Sequence, residues 1–260
     1  MRKIIVFSLI FTIILALFSC DGRAQDTVPF DKKTTKIIAH RGLSGLEIEN
    51  TEKAFVAAGE RSYYGIEADV RKTADGKFVI CHDKTLGRIS KENLNVEKST
   101  LEELLNVDLS MKNMDGTARI CELSTYISVC RSYGKHAFLE LKSEFTKEEI
   151  GRIIDIINSY EYIDSVTFIS FEYTNLEHVR TFLPYQSVQY LFSKIDDATI
   201  KRMIDDRIDA AMSYKILTEE ILKKFHDAGL TVNCWTVDDK TKAEKLASLG
   251  VDYITTNILE

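Results

Sequence analysis

Seven side chains able to do chemistry stand at short offsets along this chain: His40 and Arg41, Glu67 and Asp69, His82, and Glu140 and Lys142. The three carboxylates form an oxygen-only donor set, which suits a hard divalent cation, Mg²⁺ or Ca²⁺, better than zinc. Imidazole titrates near pH 6.5, so His40 and His82 are candidates for general base and general acid. Arg41 offers a bidentate fork and Lys142 a point charge, both suited to a phosphate. A metal, two cations and two imidazoles together point to phosphoryl chemistry. Any one of these carboxylates alone is more often a solvated strand end; three of them beside two histidines reverse that reading. The other histidines carry less, because His178 and His226 fall in helical stretches and His136 begins a strand.

Such a set works only if the chain brings it together. Short β-branched runs cover 36–41, 64–70, 77–83, 136–142, 165–171, 187–192, 208–213, 230–237 and 253–256. Amphipathic helical stretches separate most of them, at 51–62, 147–160, 197–206, 218–229 and 240–250 among others. This alternation argues for a parallel sheet with crossover helices. Nine runs exceed a closed eight-stranded barrel by one. The segment joining 64–70 to 77–83 is far shorter than the dozen or so residues a parallel crossover needs, and it contains the hairpin signal Asp75-Gly76. The run 77–83 therefore folds back antiparallel. The fold class expected is α/β, a (β/α)8 TIM barrel with an insertion between the second strand and its helix.

Barrel sites collect at the C-terminal strand ends, which here carry His40, Arg41, Glu67, Asp69, Glu140, Lys142, Phe171 and Trp235. Inward charges are costly unless paired or metal-bound, and the carboxylates lack a matching set of basic partners. With Asp75 and Gly76 as a two-residue loop, Ala74 pairs with Lys77 and Asp69 lies opposite His82. Residues 84–120 form the insertion, polar with one helix over 99–107 and too short to build a second core. It reads either as a cap over the barrel mouth or as a surface excursion.

Composition bounds the rest. The chain has 260 residues, 45% hydrophobic and 28% charged, with Gly 12 and Pro 2, which excludes collagen-like, low-complexity and disordered classes. A net charge of −6 favours neither nucleic acid nor an anionic membrane surface. The N-terminus begins with Arg2 and Lys3, runs apolar from Ile4 to Phe18, and reaches Ser19 before Cys20. As a helix that run spans about 22 Å against a hydrocarbon core of roughly 30 Å, so residues 1–19 read as a secretory signal. Leu17-Phe18-Ser19-Cys20 resembles a bacterial lipoprotein processing site, with Cys20 lipidated. The expectation is an exported protein anchored in the cell envelope, with residues 20–35 as lipidated cysteine and tether and 36–260 as a single barrel domain. The remaining cysteines, Cys81, Cys121, Cys130 and Cys234, show no C-x-x-C spacing. Cys121 and Cys130 fall more than two turns apart on one predicted helix, and buried free thiols are preferred over disulfides.

Read in order, IIAHRG, ENTEKAF and GIEADVRKTADGKFVICHD closely resemble the N-terminal signature of the glycerophosphodiester phosphodiesterases. The resemblance continues through FLELK (138–142), ISFEYTNL (169–176), VNCWTVDD (232–239) and GVDYITTN (250–257). It implies a (β/α)8 barrel using one divalent cation, Ca²⁺ or Mg²⁺, with Glu67, Asp69 and Glu140 as ligands and His40 and His82 as the acid/base pair. It further implies that Arg41 and Lys142 contact phosphate, that Trp235 walls a glycerol pocket, and that Glu49 and Asn50 support the site. Asn50 is also able to cap the first helix. The implied reaction is hydrolysis of small-molecule glycerophosphodiesters to glycerol 3-phosphate and an alcohol. The glycerol 2-hydroxyl attacks phosphorus, and water then opens the cyclic phosphate. Four departures stand out: Ile48 where the family usually has Pro, Gly87 and Ile89-Ser90 beside Arg88, and Asn257 where an acid is common. The alternatives are a phospholipase D-like or lyase activity on intact lipids, or a non-catalytic binding lipoprotein. The diesterase spacing and the presence of both histidines and all three acids favour hydrolysis.

Overall fold

β-Branched runs form the strands, and the length of each connection decides whether the next strand pairs parallel or turns back. A computed structural model describes residues 26–112 and 114–260. In chain order the elements are β1 (Lys36–Ala39), α1 (Glu52–Gly59), β2 (Gly65–Lys72), β3 (Phe78–Ile80), α2 (Leu101–Leu105), β4 (Cys121–Glu122) and α3 (Leu123–Tyr133). There follow β5 (His136–Leu141), α4 (Lys147–Ser159), β6 (Val166–Ser170), α5 (Tyr173–Phe182), β7 (Val188–Phe192) and α6 (Asp197–Asp205). The chain ends with β8 (Asp209–Ser213), α7 (Glu219–Asp227), β9 (Val232–Trp235), α8 (Lys240–Leu249) and β10 (Tyr253–Thr256). Parallel pairing runs β1-β10-β9-β8-β7-β6-β5-β2, and β2 pairs with β1 to close an eight-stranded barrel. This is the expected (β/α)8 architecture.

Two apolar layers hold it. Outward strand residues such as Ile37, Ile66, Leu139 and Val232 pack with Phe55, Ile153 and Phe225 of the helices. Inside the barrel, Ile38, Phe138, Ile169, Leu191 and Ala211 form a separate plug beneath the mouth. The helices start where the sequence supplies caps. Thr100 and Thr146 make reciprocal capping boxes with Glu103 and Glu149, each cap contributing about 1 kcal/mol. Thr51 caps α1 by accepting from Ala54 N. Asn50, expected as a possible cap there, is turned to Asp69 instead.

The hairpin has a different register from the one expected. Thr73 N donates to Lys77 O at 2.9 Å and Gly76 N to Thr73 O at 3.0 Å, so the loop has three residues, not two. Gly76 takes a left-handed φ of +74°, as three-residue hairpins require at that position. The pairs become Val70 with Ile80 and Arg71 with Val79. Asp69 therefore meets Cys81, whose N–H donates to Asp69 O at 2.8 Å, and His82 lies one residue beyond.

The insertion also differs. Its helix is confined to α2, and short 3-10 turns at 86–88 and 96–98 precede it. Polar overall, it nevertheless buries apolar side chains, and Leu86, Ile89, Val96, Leu104, Leu109 and Ile120 pack with Ile48 and Val79. That cluster leans on β3 and on the segment before α1, so it is an extension of the barrel. Cys121 lies on β4, paired with Ile80, and not on the helix that carries Cys130; the four cysteines are buried free thiols. Residues 26–35, expected as tether, dock on the barrel. Val28 bridges Leu259, and Val28 and Phe30 pack against the outer core. The signal segment 1–19 and Cys20 lie outside the described residues.

Candidate active site

The turn after β1 carries His40 and Arg41 and must reverse sharply to reach α1. Arg41 adopts φ +55° and Gly42 φ +74°. A Cβ on Gly42 would sit 2.6 Å from the Ala54 backbone, so only glycine lets the turn pack against α1. The tight turn aims Arg41 N at Glu67 Oε2, 2.8 Å away. Farther along, Asn50, also left-handed at φ +57°, donates from Nδ2 to Asp69 Oδ2 at 2.7 Å.

Glu67 and Asp69 of β2 and Glu140 of β5 point into the mouth with their oxygens within 4.8 Å of one another. All three are buried. Arg41 and Lys142, expected at these strand ends as phosphate contacts, also pair with the acids, which the sequence reading left without matching basic partners. Lys142 Nζ is 2.8 Å from Glu140 Oε1 and 3.8 Å from Asp69 Oδ1, and Arg41 Nε is 3.5 Å from Asp69 Oδ2. The charges do not balance, and Glu67 Oε1 and Asp69 Oδ1 are buried with no hydrogen-bond partner. Orphaned carboxylate oxygens of this kind are expensive unless something binds them. Burial, then the Asp69 and Glu140 charges, push Glu67 well above its ordinary pKa. Burial and the Asp69 charge likewise raise Glu140 to about 7. Burial also works against Asp69, but Arg41 and Lys142 outweigh it and hold Asp69 at about 2. An all-oxygen, electron-rich, under-satisfied trio fits a hard divalent cation.

The two histidines, just past the ends of β1 and β3, line the same cavity as Glu67 and Glu140. His40 Nε2 is 3.9 Å from Glu67 Oε2, and its Nδ1 lies 2.8 Å from Asn257 Oδ1. Asn257 Nδ2 donates to Asp238 Oδ2 at 2.6 Å, and Ser44 Oγ donates to Asn257 Oδ1 at 2.7 Å. The amide is therefore oriented with its oxygen to the ring, which assigns the proton of neutral His40 to Nδ1 and leaves the Nε2 lone pair facing the mouth. Burial, then the Arg41 charge, push His40 down to about 4. His82 has a carboxylate partner instead, with Nδ1 2.6 Å from Asp83 Oδ1. Burial lowers its pKa as well.

Two residues of the insertion, Arg88 and Glu97, brace the segments that carry His82 and Arg41. Arg88 donates to Asp83 Oδ2 at 2.7 Å and through both terminal nitrogens to Glu49, each at 2.7 Å. Glu49 in turn accepts from Arg41 at 2.9 Å. Burial works to raise Glu49, yet Arg88 and Arg41 together hold it below the usual range. Arg71 donates twice to the His82 carbonyl, at 3.0 and 2.6 Å, and ion-pairs with Glu97 of the insertion at 3.1 Å. The off-by-one hairpin thus still delivers His82, because its position is set by Arg71 and Asp83 beyond the last strand pair.

Beside the trio a cavity of about 150 Å³ opens between His40, His82, Phe171 and Trp235. The Trp235 and Phe171 rings meet edge to face at 5.7 Å between centroids. Of the residues singled out from sequence, His40, Arg41, Glu67, His82, Glu140, Lys142 and Trp235 line it. Asp69, Glu49 and Asn50 stand behind them, holding Arg41 and one another. Sequence reasoning missed the roles of Asp83, Asp238, Ser44 and Asn257. Asp83 could have been found from its place beside His82, and Asn257 from lying just past the last strand on the same side as His40. Asp238 and Ser44 carried no local signal.

A model of the glycerophosphoryl diester phosphodiesterase family matches residues 40–260. A glycerophosphodiester phosphodiesterase of Caldanaerobacter subterraneus subsp. tengcongensis is 30% identical over 231 residues, covering 86% of this chain and 94% of the relative. Among solved structures, a phosphodiesterase of Oleispira antarctica, determined in complex with the product sn-glycerol-3-phosphate, superposes with a TM-score of 0.78 at 26% identity. That match covers 86% of this chain and 93% of the other. A glycerophosphodiester phosphodiesterase of Parabacteroides distasonis gives a TM-score of 0.74 at 25% identity over 86% of this chain and 93% of that one.

Proposed function

The chain belongs to the glycerophosphoryl diester phosphodiesterase family, and on that premise we propose that it hydrolyses deacylated phospholipids to glycerol 3-phosphate and an alcohol. The observation that carries the reading is the convergence of three buried carboxylates, two of them with an orphaned oxygen, and two held imidazoles at one small cavity. A divalent cation held by Glu67, Asp69 and Glu140 would supply Lewis-acid polarisation of the phosphoryl group. Arg41 and Lys142 offer positive charge to the non-bridging oxygens, each already anchored by a carboxylate. One imidazole takes the proton of the glycerol 2-hydroxyl as that oxygen attacks phosphorus. The other delivers a proton to the departing alcohol, and the pair exchange duties when water opens the cyclic phosphate. Each ring has one nitrogen tied back, so only Nε2 is available for either step. Trp235 and Phe171 wall the glycerol side.

The protein works in the cell envelope in this proposal, exported by residues 1–19 and held by lipid on Cys20. Support comes from the sequence of that segment; among the described residues no helix is long and apolar enough to cross a membrane. The testing experiment assays the full-length chain on glycerophosphocholine and glycerophosphoethanolamine, with Ca²⁺, with Mg²⁺ and with EDTA. Release of glycerol 3-phosphate that EDTA abolishes is the expected result. Absence of product from every diester under every condition sinks the reading.

A further inference from the structure

The layer beneath the cavity breaks the pattern of the barrel interior. Such layers are usually filled with branched apolar side chains. Here Gln189 of β7, Asn233 of β9 and Thr255 of β10 are all buried within the barrel. Asn233 Nδ2 donates to Gln189 Oε1 at 3.2 Å, and Thr255 Oγ1 donates to Asn233 Oδ1 at 3.0 Å. Asn233 lies two residues before Trp235, and Thr255 two before Asn257, so both share the inward face of a mouth residue one layer deeper. Asn233 and Thr255 line the cavity, together with Ile169, Phe171 and Leu191.

Polar capacity remains unspent on the cavity side of this layer among the described residues. An amide nitrogen has two hydrogens, and Asn233 uses one. A threonine hydroxyl that donates still accepts, and no group donates to Thr255 Oγ1. Trp235 Nε1, a donor only, is buried without a partner. A merely structural polar layer would close on itself. This one leaves a donor and an acceptor side by side on a cavity floor, the pair that one hydroxyl satisfies, under walls that suit C–H groups. The volume of about 150 Å³ equals roughly five waters at about 30 Å³ each, well under the roughly 300–1,000 Å³ of sites for drug-sized ligands.

We infer that the Gln189–Asn233–Thr255 layer is the specificity floor of this site. It binds the primary hydroxyl of glycerol farthest from the phosphate, and so restricts the enzyme to diesters unacylated at that position. Asn233 and Thr255 make the contact, and Gln189 is a positioning residue that acts through Asn233. The inference rests on the proposed diesterase reading and specifies its substrate. An acyl ester on that hydroxyl would remove its donor hydrogen and place a chain where the floor stands. Losing the hydroxyl leaves buried polar groups unpaired, the situation in which sites discriminate most strongly.

The test compares sn-glycero-3-phosphocholine with its analogue bearing hydrogen in place of the distal primary hydroxyl, and with 1-acyl lysophosphatidylcholine. The full-length chain should prefer the glycerol substrate by at least about 100-fold in kcat/KM over either. Thr255→Val and Asn233→Leu should bring the ratio against the deoxy analogue below about 10-fold, chiefly by slowing the glycerol substrate. Thr255→Ser, which keeps the hydroxyl, should restore it, and Gln189→Met should fall between. Equal loss on both substrates, or a wild-type preference under about 3-fold, overturns the inference. Calorimetric titration with sn-glycerol 3-phosphate and the deoxy phosphate reads the same preference without turnover. An enzyme that prefers the former but hydrolyses nothing would therefore sink the diesterase reading and leave the floor standing as a glycerol-phosphate site.

Discussion

His40 is held by an amide and His82 by a carboxylate, and both keep Nε2 free toward the mouth. In the proposed mechanism, replacing either ring would remove one proton-transfer partner. His40→Ala and His82→Ala should each lower kcat by at least about 10²-fold. Binding of sn-glycerol 3-phosphate, measured by calorimetry, should survive in both; unchanged turnover in either variant removes that histidine from the mechanism. The carboxylate trio makes a second prediction at this scale. Glu67 Oε1 and Asp69 Oδ1 have no hydrogen-bond partner, and burial together with mutual repulsion raises Glu67 and Glu140, so a divalent cation held there would relieve a destabilised arrangement. At a cation concentration near 100 Kd the folded state gains about 2.7 kcal/mol, visible as a higher Tm. Glu67→Gln should shrink that rise, and an equal rise in the variant would place the ion elsewhere.

At the scale of elements, the β1–α1 turn and the insertion carry the site's precision. The turn takes left-handed conformations at Arg41, Gly42 and Asn50 so that His40, Arg41 and Asn50 all reach β2 residues or the mouth. Gly42→Ala adds a left-handed penalty of about 1–2 kcal/mol and an overpacking cost of about 1–3 kcal/mol against Ala54. An unfolding free energy from urea titration lowered by less than about 1 kcal/mol would mean the turn has more room than its geometry shows. The insertion contributes Arg88 and Glu97, which reach back to Glu49, Asp83 and Arg71. Its apolar cluster gives those side chains a rigid base, the arrangement that keeps a catalytic geometry within tolerance.

Over the whole molecule, the barrel separates a polar, reactive mouth from an aromatic base. His136 belongs to the base, stacked on Tyr64 and bonded through Nε2 to Thr167 Oγ1 at 2.8 Å. Burial, then the Lys36 charge, lower its pKa from 6.5 to about 4. A base whose pKa is lower when folded binds more protons when unfolded, so its neutral form supports stability fully above pH 6.5. That support is lost as pH falls from 6.5 toward 4, by up to about 3 kcal/mol. Urea unfolding at pH 7.5 and pH 5.0 should show a smaller loss on acidification in His136→Gln than in wild type. Parallel losses would assign the acid sensitivity to other groups.

Much of this was legible in the residue order. Alternating β-branched and amphipathic runs specify a parallel barrel, a short connection with a glycine specifies one return strand, and chemistry-bearing residues at strand ends specify a site, because all three signals are local and periodic. His40, Glu67, Asp69, His82 and Glu140 converge for that reason. Contacts that depend on side chains from distant segments left no such trace. The Arg88–Glu49 clamp, the Asp238–Asn257–His40 chain and the polar floor of Gln189, Asn233 and Thr255 each join residues many positions apart in sequence. Their distances are set only when the barrel closes. The sequence alone determined which strands and which reactive groups this protein has; tertiary structure decided which nitrogen each histidine presents, which cations pair with the acids, and which polar side chains line the cavity floor.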